Sequence, residues 1–142
     1  MIIWQERQGA WGRLTEFTEH TASVNSVSWS PHEIGALLAC ASTDGKVSVL
    51  EFKDDGSWDK NVFVAHGTGV NSVSWAPANQ HTSSVSAGQK AGAGERKFVT
   101  GGSDGLVKIW KWNGESYVEE ATLEGHTDWV RGVTIPSMVF YP

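Results

Sequence analysis

Basic residues are scarce in this chain: 11 Lys and Arg stand against 16 Asp and Glu in 142 residues, a formal net charge of −5. Such a surface has no broad basic face to condense on phosphate backbone or anionic lipid, which disfavours direct nucleic-acid binding. Cysteine is nearly absent, and the single Cys40 has no partner within the chain for a disulfide. Long apolar runs are missing as well. The longest, Ala36 to Ala41, is six residues, against the roughly 20 that a bilayer-spanning helix needs. The opening MIIWQERQGAWGR lacks both the basic and the apolar region of a secretory signal, so a chain of the reducing side of the membrane is expected. No window spaces apolar residues at i, i+3, i+4 and i+7, which leaves little room for helix. Tryptophan and glycine, by contrast, are abundant at 8 and 16, a composition of Trp-anchored strands joined by tight turns.

The chain repeats itself. HTASVNSVSWSP, from His20 to Pro31, recurs as HGTGVNSVSWAP from His66 to Pro77 with eight of twelve letters identical, and starts again as HTDWVRGVTIP from His126. A second signature, TDGKVSVLEF from Thr43, returns as SDGLVKIWKW from Ser103. Trp4 to His20, Leu50 to His66 and Trp110 to His126 are each 16 residues apart, the mark of one supersecondary unit copied along a chain. The repeats are 46 and 60 residues long, and the excess falls in residues 78–97, a polar Gly/Ser/Ala-rich tract that reads as a surface loop.

Each unit holds four short strands. The first unit places them at 24–29, 37–41, 47–52 and 58–64, the second at 70–75, 97–100, 107–112 and 117–123. Asp44-Gly45 and Asp104-Gly105 read as hairpin turns of two residues, with glycine taking the positive φ. Apolar positions 24, 27 and 29, like 70, 73 and 75, break alternation by one residue, which predicts a β-bulge in each first strand.

A unit of about 40 to 45 residues with His near its start and Trp closing its third strand resembles the WD repeat, whose copies form the blades of a β-propeller. The fold class is therefore all-β: a WD-repeat propeller fragment with two complete four-stranded blades and partial blades at each end. The organisation expected is closing strands of one blade in 1–19, blades in 20–65 and 66–125, and the start of a further repeat in 126–142. The resemblance implies a buried hydrogen-bonded set of His, Ser or Thr, Asp and Trp. The second unit supplies it in full with His66, Thr100, Asp104 and Trp110. The first supplies His20 and Asp44 only, with Cys40 at the Thr position and Leu50 at the Trp position, and so is expected to keep at most half the network.

The runs SVNSVSWSPHEIGALLACASTDGKVSV, AHGTGVNSVSWAP, RKFVTGGSDGLVKIWKWNGESY and GHTDWVR resemble more closely the Sec-thirteen family, small WD-repeat subunits of the COPII outer coat and of the nuclear pore Y complex. That likeness implies a non-enzymatic scaffold on endoplasmic-reticulum membranes, COPII vesicles and nuclear pores. Its partners would be the large outer-coat subunit and a Y-complex nucleoporin, with membrane contact only through the coat. The family has six repeats and this chain matches the middle ones, diverging after Arg131, so a truncated form unable to bind those partners in the usual way is expected. A WD-repeat adaptor for peptides and a non-functional truncation product are the rival readings.

No catalytic set emerges. One His per unit matches no compact metal-ligand spacing, Asp44 and Asp104 are explained by their turns, and no cofactor is expected. Cys40 reads as a small buried apolar residue, and Lys90, Arg96 and Lys97 as a short basic patch on a solvated loop. Trp29 and Trp75 are expected to pack between blades, while Trp129 and Arg131 are candidate interface anchors. A closed propeller needs at least four blades. The isolated chain is therefore expected to be marginal, with exposed sheet edges.

Overall fold

The computed structural model describes residues 1–78 and 94–136. Ten strands and one short 3-10 turn, His32–Ile34, make up the regular structure of these residues. β1 (Ile2–Arg7) and β2 (Ala10–Glu16) form a two-stranded ribbon. β3 (Val24–Trp29), β4 (Ala36–Ser42), β5 (Lys46–Phe52) and β6 (Trp58–Val64) form one four-stranded sheet in chain order. β7 (Val70–Trp75), β8 (Lys97–Gly102), β9 (Val107–Trp112) and β10 (Tyr117–Leu123) form a second. Every pairing is antiparallel. These are the meanders that propeller blades are made of.

The burial of each strand follows its sequence. In β4 the run Leu37 to Ser42 is buried throughout, because the sheet is covered on both faces and a mid-sheet strand then needs apolar or small side chains on both. Both bulges lie where alternation fails: the register of β3 on β4 shifts between Val24 and Ser26, and that of β7 on β8 between Val70 and Ser72.

The Asp-Gly turns differ from expectation in length. Gly45 N–H donates to the Ser42 carbonyl at 3.1 Å and Gly105 N–H to the Gly102 carbonyl at 3.3 Å, so each hairpin has three loop residues. The glycines still supply the left-handed step, at φ +83° and +78°, but as the bulge closing a three-residue loop. A side chain at Gly45 would also collide with the carbonyl oxygens of His66 and Thr68, at 2.7 and 2.9 Å from its Cβ. The turn of one blade is thereby seated under the entry of the next.

The main core lies between the two sheets. Leu37, Ala39, Ala41, Val47 and Val49 of the first meet Val73, Trp75, Phe98, Trp110 and Tyr117 of the second, with Phe63 packed against them. A smaller cluster of Leu38, Cys40 and Leu50 on the opposite face of the first sheet is covered by Ile3, Met1 and Phe17 from the ribbon. The ribbon does not reach the end of β3. Trp29, expected to pack between blades, is 52% exposed, whereas its counterpart Trp75 is 5% exposed. Residues 126–136 carry no strand of their own, yet Val130 is buried against the second sheet. Most of the expected surface loop, residues 79–93, and residues 137–142 lie outside the described part.

Candidate functional site

The polar chemistry of the described residues converges on two histidines, one at the entry to each complete blade. In the second blade His66 Nδ1 lies 3.0 and 2.9 Å from the two carboxylate oxygens of Asp104. Its Nε2 is 2.9 Å from the Thr100 hydroxyl, and Trp110 Nε1–H donates to that same hydroxyl at 2.9 Å. A carboxylate can only accept, so Nδ1 carries a proton. The Thr100 oxygen accepts from the indole and its own proton goes to Nε2. Trp110, Thr100, His66 and Asp104 thus form one directed chain in which each bond polarises the next. Asp104 also accepts from Leu106 N–H at 3.0 Å, fixing the turn. The bare backbone of Gly102 makes room, since a Cβ there would fall on His66 Nδ1 and Asp104 Oδ1.

The first blade builds a different set. His20 Nδ1 meets Asp44 Oδ2 at 3.0 Å, and Asp44 also accepts from Thr21 and Lys46 N–H at 3.1 and 2.9 Å. His20 Nε2 is satisfied by Ser48 at 2.9 Å. The expectation that this blade keeps only half its network needs correction. Ser48 stands directly across the ladder from Cys40, so the hydroxyl missing from the second strand is supplied by the third. Leu50 carries no donor, and the chain of bonds stops at Ser48. Cys40 lies with its sulfur 3.2 Å from that of Met1, and burial pushes its thiol up to about 11.

Burial works against ionisation of Asp44, but the N–H of Lys46 and the His20 ring outweigh it and hold the carboxyl below the usual range. Asp104 shifts the same way: burial opposes the charge, and His66 and the Leu106 N–H more than offset it. Asp, His and Ser in line have the geometry of a proton relay. Here Ser48 is 2% and Thr100 0% exposed, so both hydroxyls are buried in the sheets, and these bonds hold sheets and turns together. Among the described residues no group of three or more His, Cys, Asp or Glu is placed to hold a metal ion. No helix of the described residues is long and apolar enough to cross a membrane.

The remaining sequence-predicted residues separate. Trp75 is in the core, and its indole N–H donates across the sheets to the Ser28 carbonyl at 2.9 Å. Trp129 is 58% exposed, with the Arg131 guanidinium 5.9 Å from its ring centroid. Arg96 is engaged in a two-pronged contact with Glu51 of the preceding blade, at 3.2 and 2.9 Å, and Lys97 pairs with Glu120 and Glu95. Lys90 lies outside the described residues.

One repeated device escaped the sequence reading. Asn25 Nδ2 donates to Thr43 Oγ1 at 2.9 Å and to the Val70 carbonyl at 2.8 Å. Asn71 does the same with Ser103 Oγ and the Val130 carbonyl, both at 3.1 Å. Each asparagine ties its own blade's turn to the chain that follows the blade, β7 for Asn25 and the 126–136 segment for Asn71. The signal lies in the identical VNSVSW runs, where the same Asn recurs beside each bulge.

Repeated four-stranded meanders, each pinned at its entry by a His–Asp pair and latched by an asparagine to the chain that follows, define a WD-repeat protein. The chain belongs to the family of WD-domain, G-beta repeats, whose model matches residues 11–51 and 57–111. Within it, the chain is similar to proteins named protein transport protein Sec13. It is 54% identical to that of Emericella nidulans over 144 residues, which cover 94% of this chain and 46% of the relative. To that of Coccidioides immitis it is 56% identical over 142 residues, covering 94% and 46%. To that of Cryptococcus neoformans var. neoformans serotype D it is 52% identical over 134 residues, covering 90% and 40%. The chain spans about half the length, or somewhat less, of the curated relatives it matches.

Proposed function

We propose that the protein carrying these blades is a non-enzymatic scaffold in protein transport, a structural part of the COPII coat for traffic from the endoplasmic reticulum to the Golgi. The observation that carries this reading is identity above half with Sec13 transport proteins across nine-tenths of the chain. The interior supports it: the paired histidines spend their hydrogen-bonding capacity on holding turns and sheets rigid, which is what a load-bearing element needs and a catalyst does not. By family likeness the partners are the large outer-coat subunit and, in a second pool, a nucleoporin of the Y complex. The protein would sit peripherally on endoplasmic-reticulum membranes, COPII vesicles and nuclear pores, with no cofactor.

Affinity purification of the tagged protein from cells, read by quantitative mass spectrometry, tests this. Enrichment of the large outer-coat subunit supports the coat role and enrichment of Y-complex nucleoporins the pore role. Recovery of ubiquitin-ligase or chromatin subunits in their place would contradict both and favour a peptide adaptor.

A further inference from the structure

The turn between β9 and β10 holds Asn113-Gly114, the only Asn-Gly pair in the sequence. Residues 113–116, which form the turn, are exposed. The side-chain carbonyl oxygen of Asn113 accepts two backbone N–H groups at once, from Glu115 and Ser116, each at 2.9 Å. Its amide nitrogen has no hydrogen-bond partner among the described residues, and neither has the Gly114 N–H. Gly114 takes φ +103°, with open space where a Cβ would stand. Nothing crowds the Gly114 nitrogen, and water reaches the turn.

Loss of the side-chain amide requires this arrangement. Attack of the Gly114 nitrogen on Asn113 Cγ draws negative charge onto Oδ1, where the two N–H groups already stand as donors do in an oxyanion hole. The nitrogen that must leave is unheld. Asn25 and Asn71 are arranged the opposite way. Nδ2 of each donates two hydrogen bonds, one to its blade's turn and one to the chain that follows, so its departure would break the latch. Each is also followed by a serine inside a strand, and Asn61 by Val62. The first blade shows that a carboxylate suits such a turn. Between β5 and β6 lies Asp55-Gly56, with Gly56 at φ +84°, and Asp55 Oδ1 accepts from the Ser57 N–H at 2.9 Å and the Ser57 hydroxyl at 2.5 Å.

We propose that Asn113 is a site of spontaneous deamidation in the folded protein. The Gly114 nitrogen bonds to Asn113 Cγ, the Cγ–Nδ2 bond breaks, and Nδ2 leaves as ammonia with the proton that Gly114 gives up. The five-membered imide then takes up one water. Opening at Cγ leaves an aspartate, and opening at the main-chain carbonyl leaves an isoaspartate, whose backbone runs through Cβ and Cγ. Either product adds a negative charge to a chain already at −5. The aspartate still accepts both N–H groups, now as charge-assisted bonds, and keeps the turn. The isoaspartate lengthens the main chain inside a loop that the Asn113 N–H closes on the Ser116 carbonyl at 3.1 Å. That loop leads directly into Tyr117, which is buried against Phe63 and Trp112. One product is silent in the second blade and the other loosens it.

This rests on the geometry of one turn and not on the transport role. The test is incubation of the folded full chain in mildly alkaline buffer, beside the same chain held in urea, read by peptide mass mapping and by isoaspartyl methyltransferase labelling. Asn113 should convert at least as fast in the folded chain as in urea, while Asn25, Asn61 and Asn71 of the folded chain stay amides. Asn113→Gln, whose extra methylene takes the carbonyl out of reach of a five-membered ring, should lose the signal. Asn113→Asp should keep the urea midpoint of the parent chain and focus at a more acidic point, matching one of the aged products. Conversion that is slower folded than in urea would mean that the two N–H groups hold the side chain away from Gly114, and would overturn the proposal. An Asn113 that stays an amide, or conversion of Asn25 and Asn71 at an equal rate, would overturn it as well.

Discussion

The two complete blades carry a His at their entry and an Asp-Gly turn between their second and third strands, in the same order, yet only the second runs its hydrogen bonds from tryptophan to carboxylate. In the first, Leu50 and Cys40 take the places of Trp110 and Thr100, and Ser48, reaching in from the neighbouring strand, rescues His20. The lesson is that the repeat conserves the satisfaction of a buried imidazole, by whatever hydroxyl lies within reach. An unsatisfied ring nitrogen in a dry interior costs about 1 to 3 kcal/mol, which is enough to exclude an apolar residue at both candidate positions at once. A second contrast is one of cover. The face of the second blade is closed by the first, while the face of the first is half closed by a two-stranded ribbon.

The largest effect should come from that difference in cover. Trp75→Ala is expected to cost about 3 to 5 kcal/mol in urea unfolding, and Trp29→Ala only about 1 kcal/mol, since half of its surface is already wet. Equal losses would break the contrast. Next in size are the hydroxyls. Thr100→Val keeps the shape of the side chain but strands both His66 Nε2 and Trp110 Nε1, for about 2 to 4 kcal/mol, whereas Ser48→Ala strands only His20, for about 1 to 2 kcal/mol. Cys40→Thr in combination with Ser48→Ala sharpens the comparison, because it moves the hydroxyl to the position the second blade uses and should recover most of the loss. Gly102→Ala should destabilise by about 1 to 3 kcal/mol through the displaced imidazole, and the same changes measured by thermal melting should rank alike.

Acid should act on both blades in one direction. The folded carboxyls of Asp44 and Asp104 lie below their ordinary value of 3.8, so the unfolded chain binds protons first as pH falls. Stability from these groups is whole above about pH 4 to 5 and drains away below it. Asp104→Asn should flatten the fall in urea midpoint between pH 5 and 3, and a fall left unchanged in Asp44→Asn and Asp104→Asn together would remove the carboxylates from the account. The smallest effect is kinetic. Cys40, buried and with its thiol pushed up to about 11, should react with a thiol reagent at pH 8 only as fast as the first blade opens.

Strand positions and bulges were legible in the sequence because alternation, β-branched runs and Asp-Gly pairs are local signals. The strands 58–64 and 107–112 read from the sequence coincide with β6 and β9. The turn length is not legible there, since the same dipeptide serves a two-residue loop and a three-residue loop with a bulge. Ser48 was missed for a different reason. It lies eight residues from Cys40 in sequence and directly across the ladder from it in space, and one-dimensional spacing contains no register. Trp29 and Trp75 occupy identical motifs, so nothing local could say which is covered; that is decided by whether a neighbouring sheet is there. Arg96 reads as part of a basic loop and is instead held by Glu51, a pairing 45 residues apart.

The central claim is that the periodic His, Asp and Trp positions are interior fastenings of stacked sheets. Hydrogen exchange at the tryptophan indole N–H groups, followed by NMR on the folded chain, addresses it directly. The Trp110 proton should exchange as slowly as the amides of β8 and β9, while those of Trp11 and Trp129 are lost at the rate of free indole. A Trp110 proton that exchanges as fast as that of Trp11 would mean that the bonded chain through Thr100 and His66 does not exist in solution.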